Sequence, residues 1–396
     1  MTADVIQQRR AVLACFKPKP DLGEFLRITT SIERTQLLRW LDESGMAIYL
    51  VQRLAEHELF QQIDVDLRQA LYQRTEANRR RTSVLLREFE RVNTALQSVG
   101  IEYAVVKGFT LRPEFCPEPW LRHQSDIDLL ISSTALAPAT ECLGSLGYKL
   151  EAGEGSGEIC FALRSEHMPS PQDFIYDPPR HQHIEVHTDF YQAHCGVSLE
   201  VGRDWAEHIE WREIAGVRFP ALHLPHRFLT QVLHVFRHTS SWARVAWLYE
   251  IARFVERFEN NDELWHTTDS LLYDDNARRA CGVVCVLVTN AFGTKFPAII
   301  QETWIQPLPV RQMSWIREHA DLWMLSDFAH ASKTGLLLQR EFADSTLTWW
   351  SYRAARYRKA IRKLQASGHT GPRFLMERVR RHMDYVWQSL KWSAHN

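Results

Sequence analysis

Three short stretches carry residue types that could do chemistry: V-V-K-G-F (105–109), R-H-Q-S-D-I-D-L-L-I (122–131) and H-I-E-V-H (183–187). On an extended strand, side chains two apart point the same way, so Asp126 and Asp128 form a carboxylate pair on one face while Ile127, Leu129 and Ile131 take the other. Two anions so close repel unless a cation lies between them. A divalent ion that prefers hard oxygen ligands answers that need, and Mg²⁺ normally keeps waters and substrate phosphates as its remaining ligands. Glu185, on a second strand, could supply a third carboxylate. Such a trio suits a two-metal site that clamps the attacking and leaving oxygens of a phosphoryl displacement. Lys107 and Gly108 end a strand upstream, where a glycine admits close approach of backbone N–H groups to a phosphate and a lysine adds a point charge. Arg122 could neutralise further phosphate charge.

These residues need a scaffold, and the texture of the chain supplies one. Residues 1–99 read as helical, most clearly where Leu85, Phe89, Val92 and Leu96 recur at helical spacing before Gly100 as a left-handed cap. From 100 to 222 strands alternate with turns: IEYAVV (101–106), DIDLLIS (126–132), a helix over 135–146 closed by Gly147, a glycine-rich turn at Glu151–Gly157, and HIEVHTDF (183–190). Helical texture returns over 223–396. The expected fold class is α+β, a small mixed-sheet core flanked by N-terminal and C-terminal helical regions.

The order K-G-F, R-x-x-x-D-I-D-L-L-I and I-E-V-H, with the later H-x-x-x-H-x-x-x-W-x-R-x-x-W-L of His234–Leu248, resembles the uncharacterised nucleotidyltransferases of the polymerase-β-like superfamily. The resemblance covers roughly residues 80–260. It implies a nucleotidyltransferase-type core, a co-substrate NTP such as ATP, two Mg²⁺ ions, and transfer of a nucleotidyl group to an acceptor hydroxyl or phosphate. By match, Asp126, Asp128 and Glu185 take the metal and catalytic roles and Gly108 the phosphate turn. Lys107, Arg122 and His187 match positions of this branch. Lys107 and Arg122 would hold phosphates, and His187 would orient groups or transfer a proton. Two positions depart from the pattern: Phe109 follows Gly108 where Ser or Gly is usual, and Glu250 stands where Asp is expected. The acceptor (small molecule, peptide or RNA) and the choice between nucleotidyl and phosphoryl transfer are open at this point.

Other readings of the same residues compete. His181, His183, Glu185 and His187 share one strand face and would suit a transition-metal hydrolase; the favoured alternative makes His181 and His183 loop residues. His234 and His238, one helical turn apart, lack the glutamate of H-E-x-x-H and read as packing or substrate-contacting histidines. His167 reads as a solvated loop residue, and Cys160 and Cys195 as buried small apolar residues.

Composition excludes several classes. The 396 residues are 45% hydrophobic and 24% charged, which rules out a disordered or fibrous chain. The net charge of -1 favours no nucleic-acid or membrane partner overall. Locally, Tyr352–Lys391 carries eleven Lys or Arg against Glu377 and Asp384, with interleaved aromatics. This tail could dock RNA, a membrane surface or an acidic partner, and with it stands the alternative of a degenerate, non-catalytic binding module. The start lacks an apolar run of signal-peptide length, and Cys281–Phe292 falls well short of the ~20 residues of a membrane span, so it reads as a core helix. Seven scattered cysteines without C-x-x-C spacing fit a reducing cytoplasm.

Overall fold

The computed structural model describes residues 3–29, 34–152, 158–164, 175–179, 181–188, 205–240, 243–326 and 328–343, with positions 345, 347, 349 and 351. The tail from Tyr352, His167 and Cys195 lie outside the described residues, as does most of the Glu151–Gly157 turn.

The centre is one mixed sheet of seven strands: β1 (Tyr103–Val106), β2 (Asp126–Ile131), β3 (Lys149–Ala152), β4 (Glu158–Arg164), β5 (His181–His187), β6 (Ile209–Ile214) and β7 (Val217–Leu222). Their order across the sheet is β3-β4-β5-β2-β1-β7-β6. The two innermost strands are buried almost throughout, as V-V and L-L-I runs demand. β2 runs antiparallel to β1, with Val106 opposite Asp128, and parallel to β5, with Asp126 opposite His183 and Asp128 opposite Glu185.

The alternation in β2 divides the sheet into an apolar and a polar face. Ile127, Leu129 and Ile131 join Val105, Ile184 and Val186 in a core closed by Leu85, Phe89, Val92 and Leu96 of a long helix and by Ala139 and Leu143 of a short one. Asp126 and Asp128 face the other way.

The helices before the sheet are α1 (Ala3–Ala14), α2 (Leu22–Thr29), α3 (Arg34–Ser44), α4 (Ala47–Glu56) and α5 (Val65–Ser98). Within and beyond it come α6 (Leu136–Ser145), α7 (Leu224–His238), α8 (Val245–Phe258), α9 (Asp262–Ser270) and α10 (Asp275–Phe292), then helices Val310–Leu325 and Phe328–Arg340. α5 starts where the Asp64 side chain accepts from the N–H groups of Asp66 and Leu67, and the chain leaves it at Gly100, φ +70°. At 34 residues it is about 50 Å long, enough to serve two cores. Its first half, through Leu67, Leu71 and Ala77, packs with helices from both ends of the chain, and its second half covers the sheet.

The two flanking helical regions share that first core across the boundaries drawn from sequence. Tyr49 of α4 meets Tyr249 of α8 edge-on at 5.3 Å, and Phe16 meets the same ring at 4.8 Å. The greasy run Cys281–Phe292 lies in α10 and is buried apart from Thr289 and Asn290, with both of its cysteines fully enclosed. No helix among the described residues is long and apolar enough to cross a membrane.

Candidate functional site

β1 delivers Lys107 to the polar face in an unusual backbone state, φ 56° and ψ −155°, of the kind that costs on the order of 1–3 kcal/mol for a non-glycine residue. The following turn, Gly108–Leu111, is a short 3-10 helix. Phe109 anchors it from below, packed at 4.8 Å against Phe89 in the sheet core. A phenylalanine after the glycine therefore fixes the turn by burial. Gly108 itself has φ +45°, and a Cβ there would lie 2.4 Å from Gln124 Nε2, which donates to the Asp126 carbonyl at 2.9 Å. Gly108→Ala is expected to cost about 1–3 kcal/mol through strain and displacement of Gln124, read as a shifted urea midpoint at unchanged slope.

The Lys107 ammonium donates to Asp128 Oδ1 at 2.6 Å, with both side chains nearly buried. His187 Nε2 lies 3.1 Å from the same oxygen and 3.9 Å from Glu185 Oε2. Ligand atoms of Asp128, Glu185 and His187 all fall within 4.8 Å of one another, which is the spacing of a cation site. The parallel register of β2 and β5 produces this: Glu185 lies beside Asp128, and His187 follows on the same face. Asp126, one pleat back on that face, is outside this close group but near enough to feel Asp128, Lys107 and Arg122.

The electrostatics separate the two aspartates. Burial opposes ionisation of Asp128, but Lys107 and His187 outweigh it and hold its carboxyl well below the usual range. Burial and the Asp128 charge push Asp126 up to about 6, against the pull of Lys107 and Arg122. When no further cation is bound, Asp126 thus takes up its proton at a higher pH than an ordinary carboxyl, while Asp128 stays ionised. A raised acid stabilises the fold below its unfolded pKa, and that contribution is lost as pH rises through the folded one. With chelator present, Asp126→Asn should therefore gain melting temperature relative to the native chain at pH 7, and lose that advantage by pH 4. An equal difference at both pH values would show that Asp126 is not under this stress.

Arg122, which the sequence suggests as a phosphate holder, points its guanidinium to Glu250, Nε to Oε1 at 3.1 Å and to Oε2 at 3.3 Å. Glu250 is fully buried and also accepts from Tyr49 Oη at 3.0 Å and Gln231 Nε2 at 2.8 Å. The departure at Glu250 is thus a keystone between α4, α7, α8 and the segment entering β2. Arg81 braces the same segment, donating to the carbonyls of Gln124 and Asp177 at 2.8 Å and 2.6 Å. Arg244 shares the field of Asp126 and Arg122, and it also lines a cavity of about 560 Å³ with Arg39, Asp42, Arg74 and Ile175. Motif spacing passes over Arg81 and marks Glu250 only as a departure from the family pattern, because both are charged residues inside helices whose buried faces are otherwise mostly apolar.

His234 is buried against Trp247, ring centroids 4.4 Å apart, and 4.5 Å from His238. Burial, with His238, Lys107 and Arg122 nearby, holds it well below its ordinary pKa and so neutral, and its Nδ1 makes no hydrogen bond among the described residues. Two sequence expectations need correction. His181 and His183 are not loop residues; β4 pairs with β5 as far as Arg164 opposite His181, which extends the strand by a turn of the pleat. Cys160 is half-buried, not enclosed, and sits across from Glu185 on the polar face.

The donor set fits a divalent ion: two carboxylates and an imidazole, already converged around a strongly anionic Asp128. Among curated proteins none matches the chain. A solved structure of an antigenic nucleotidyltransferase-like protein from Paracoccidioides brasiliensis is similar at 14% identity over 56% of this chain and 96% of that one, TM-score 0.32. The model of the family described as uncharacterised nucleotidyltransferase matches residues 30–293, a span holding every residue of the site above, and the chain belongs to that family.

Proposed function

We propose that the protein transfers a nucleotidyl group from an NTP to an acceptor hydroxyl or phosphate, in a reaction that depends on a divalent cation. The observation that carries this reading is the convergence of Asp128, Glu185 and His187 beside the Lys107 ammonium, in a chain of the nucleotidyltransferase family. Bound there, the ion would supply charge neutralisation at the phosphates and activation of the acceptor oxygen.

The chain's own residues do the rest. Asp128 and Glu185 hold the ion, with His187 completing the set and Asp126 adding charge from one pleat away. Lys107, fixed by the strained turn at Gly108, offers its ammonium to a phosphate oxygen. Arg122 acts through Glu250 and positions the strand that bears the aspartates. The reaction asks little covalent work of the protein, because positioning and charge neutralisation carry most of the rate.

Incubation with α-labelled and γ-labelled NTPs, Mg²⁺ or Mn²⁺ and a cell extract tests this directly. Label from the α-position should move to an acceptor and should stop moving in Asp128→Asn. Movement of the γ-label alone would convert the reading to phosphoryl transfer, and movement of neither would end it.

A further inference from the structure

A two-ion centre places its metals roughly 3.5–4 Å apart and needs a carboxylate shared between them. Among the described residues Asp128 is the one positioned to be shared, since it stands between Asp126 on its own strand and Glu185 on the next. Its Oδ1, however, is already met at 2.6 Å by the Lys107 ammonium and at 3.1 Å by His187. Lys107 also lies in the field of both Asp126 and Glu185, so one ammonium acts on all three acids. It is not there by drift: the left-handed backbone at position 107 and the buried Phe109 behind it fix the direction in which the ammonium is presented. Asp126, in turn, does not close with the ligand group, so a second ion would have to compete with the Lys107 ammonium for Asp128 and take its other ligands from water and phosphate.

We propose that this site binds one divalent ion, on Asp128, Glu185 and His187, and that the Lys107 ammonium is its built-in second cation. The proposal rests on the nucleotidyl-transfer reading above and narrows it. The ligand set includes an imidazole, which Mg²⁺ tolerates less readily than Mn²⁺ does, so the ion belongs to the class that accepts nitrogen as well as oxygen.

The ions can be counted without any turnover. The full chain is dialysed to equilibrium against Mn²⁺ and α,β-methylene-ATP, and bound manganese is measured by elemental analysis and by electron paramagnetic resonance. The native chain should hold one Mn²⁺ with the signal of an isolated ion. Lys107→Ala should hold two, with the broadened signal of a coupled pair, while Lys107→Arg, which keeps the charge, stays at one. Two coupled ions in the native chain, no bound ion, or a single ion in a folded Lys107→Ala would each overturn the proposal. Should Lys107→Ala fail to fold by circular dichroism, Lys107→Met makes the same comparison, and the native count decides independently of either. Labelled transfer by the same protein, with hydrolysable NTP in place of the analogue, separates the two readings. Transfer by a chain holding two ions overturns the single-ion site alone, whereas one ion with no transfer from any NTP overturns nucleotidyl transfer alone.

Discussion

Replacing Asp128 by Asn should lower transfer about 10³-fold or more, the scale on which several kcal/mol of charge stabilisation is lost. The same change should destabilise the fold by about 3–5 kcal/mol, because it strands a nearly buried ammonium. The two effects have separate origins and can be separated. Lys107→Met alone strands Asp128, against which, among the described residues, His187 remains at hydrogen-bond distance, and should cost a similar amount. In the double variant, Asp128→Asn with Lys107→Met, neither member of the pair is left without the other, so most of the stability should return while transfer stays lost. Chemical denaturation of the four proteins closes the cycle, and a coupling of at least about 2 kcal/mol is expected for charges in direct contact. Additive stability losses would mean that the 2.6 Å pair is not formed in solution. An Asp128→Asn protein retaining a tenth of native transfer would remove this carboxylate from the chemistry.

The polar face of β2 was legible from sequence because an Asp-x-Asp in a run of branched apolar residues fixes both the strand and the side each residue takes. The partner strand was legible for the same reason, and the parallel register then sets Glu185 beside Asp128. Strand β6 and its hairpin to β7 were not. In I-E-W-R-E-I the apolar residues fall on both faces, as an edge strand with an exposed Trp211 permits, so period-two counting finds nothing. The role of Lys107 against Asp128 was hidden as well: 21 residues separate them in sequence, and only the antiparallel register of β1 on β2 brings them together. Arg122's pairing was not legible either: its spacing before the aspartates suggests a phosphate contact and says nothing of the carboxylate 128 residues downstream that its guanidinium meets.

That carboxylate, Glu250, should be among the most sensitive positions in the chain outside the metal ligands. It is fully buried, and burial raises its pKa against the pull of Arg122 and Tyr49, so its charge is kept by its partners. Glu250→Gln preserves shape and removes the charge. Arg122 then keeps a buried guanidinium whose remaining acidic neighbour is Asp126. Two consequences follow. Stability should fall by about 3–5 kcal/mol, as when one member of a buried pair is removed. Arg122, drawn toward Asp126, should compete with the bound ion for negative charge, so transfer should fall by about 10–100-fold, the range for residues that orient metal ligands from behind. Glu250→Asp tests the geometry separately from the charge. The side chain one methylene shorter cannot reach Arg122, Tyr49 and Gln231 together, so about 1–2 kcal/mol should be lost, near the worth of one charge-assisted hydrogen bond. Its transfer rate should stay within a few-fold of native, because the carboxylate still holds Arg122 away from Asp126. If Glu250→Gln instead melts within about 0.5 kcal/mol of the native chain, as ordinary surface changes do, the buried network does not organise the strand that carries the aspartates.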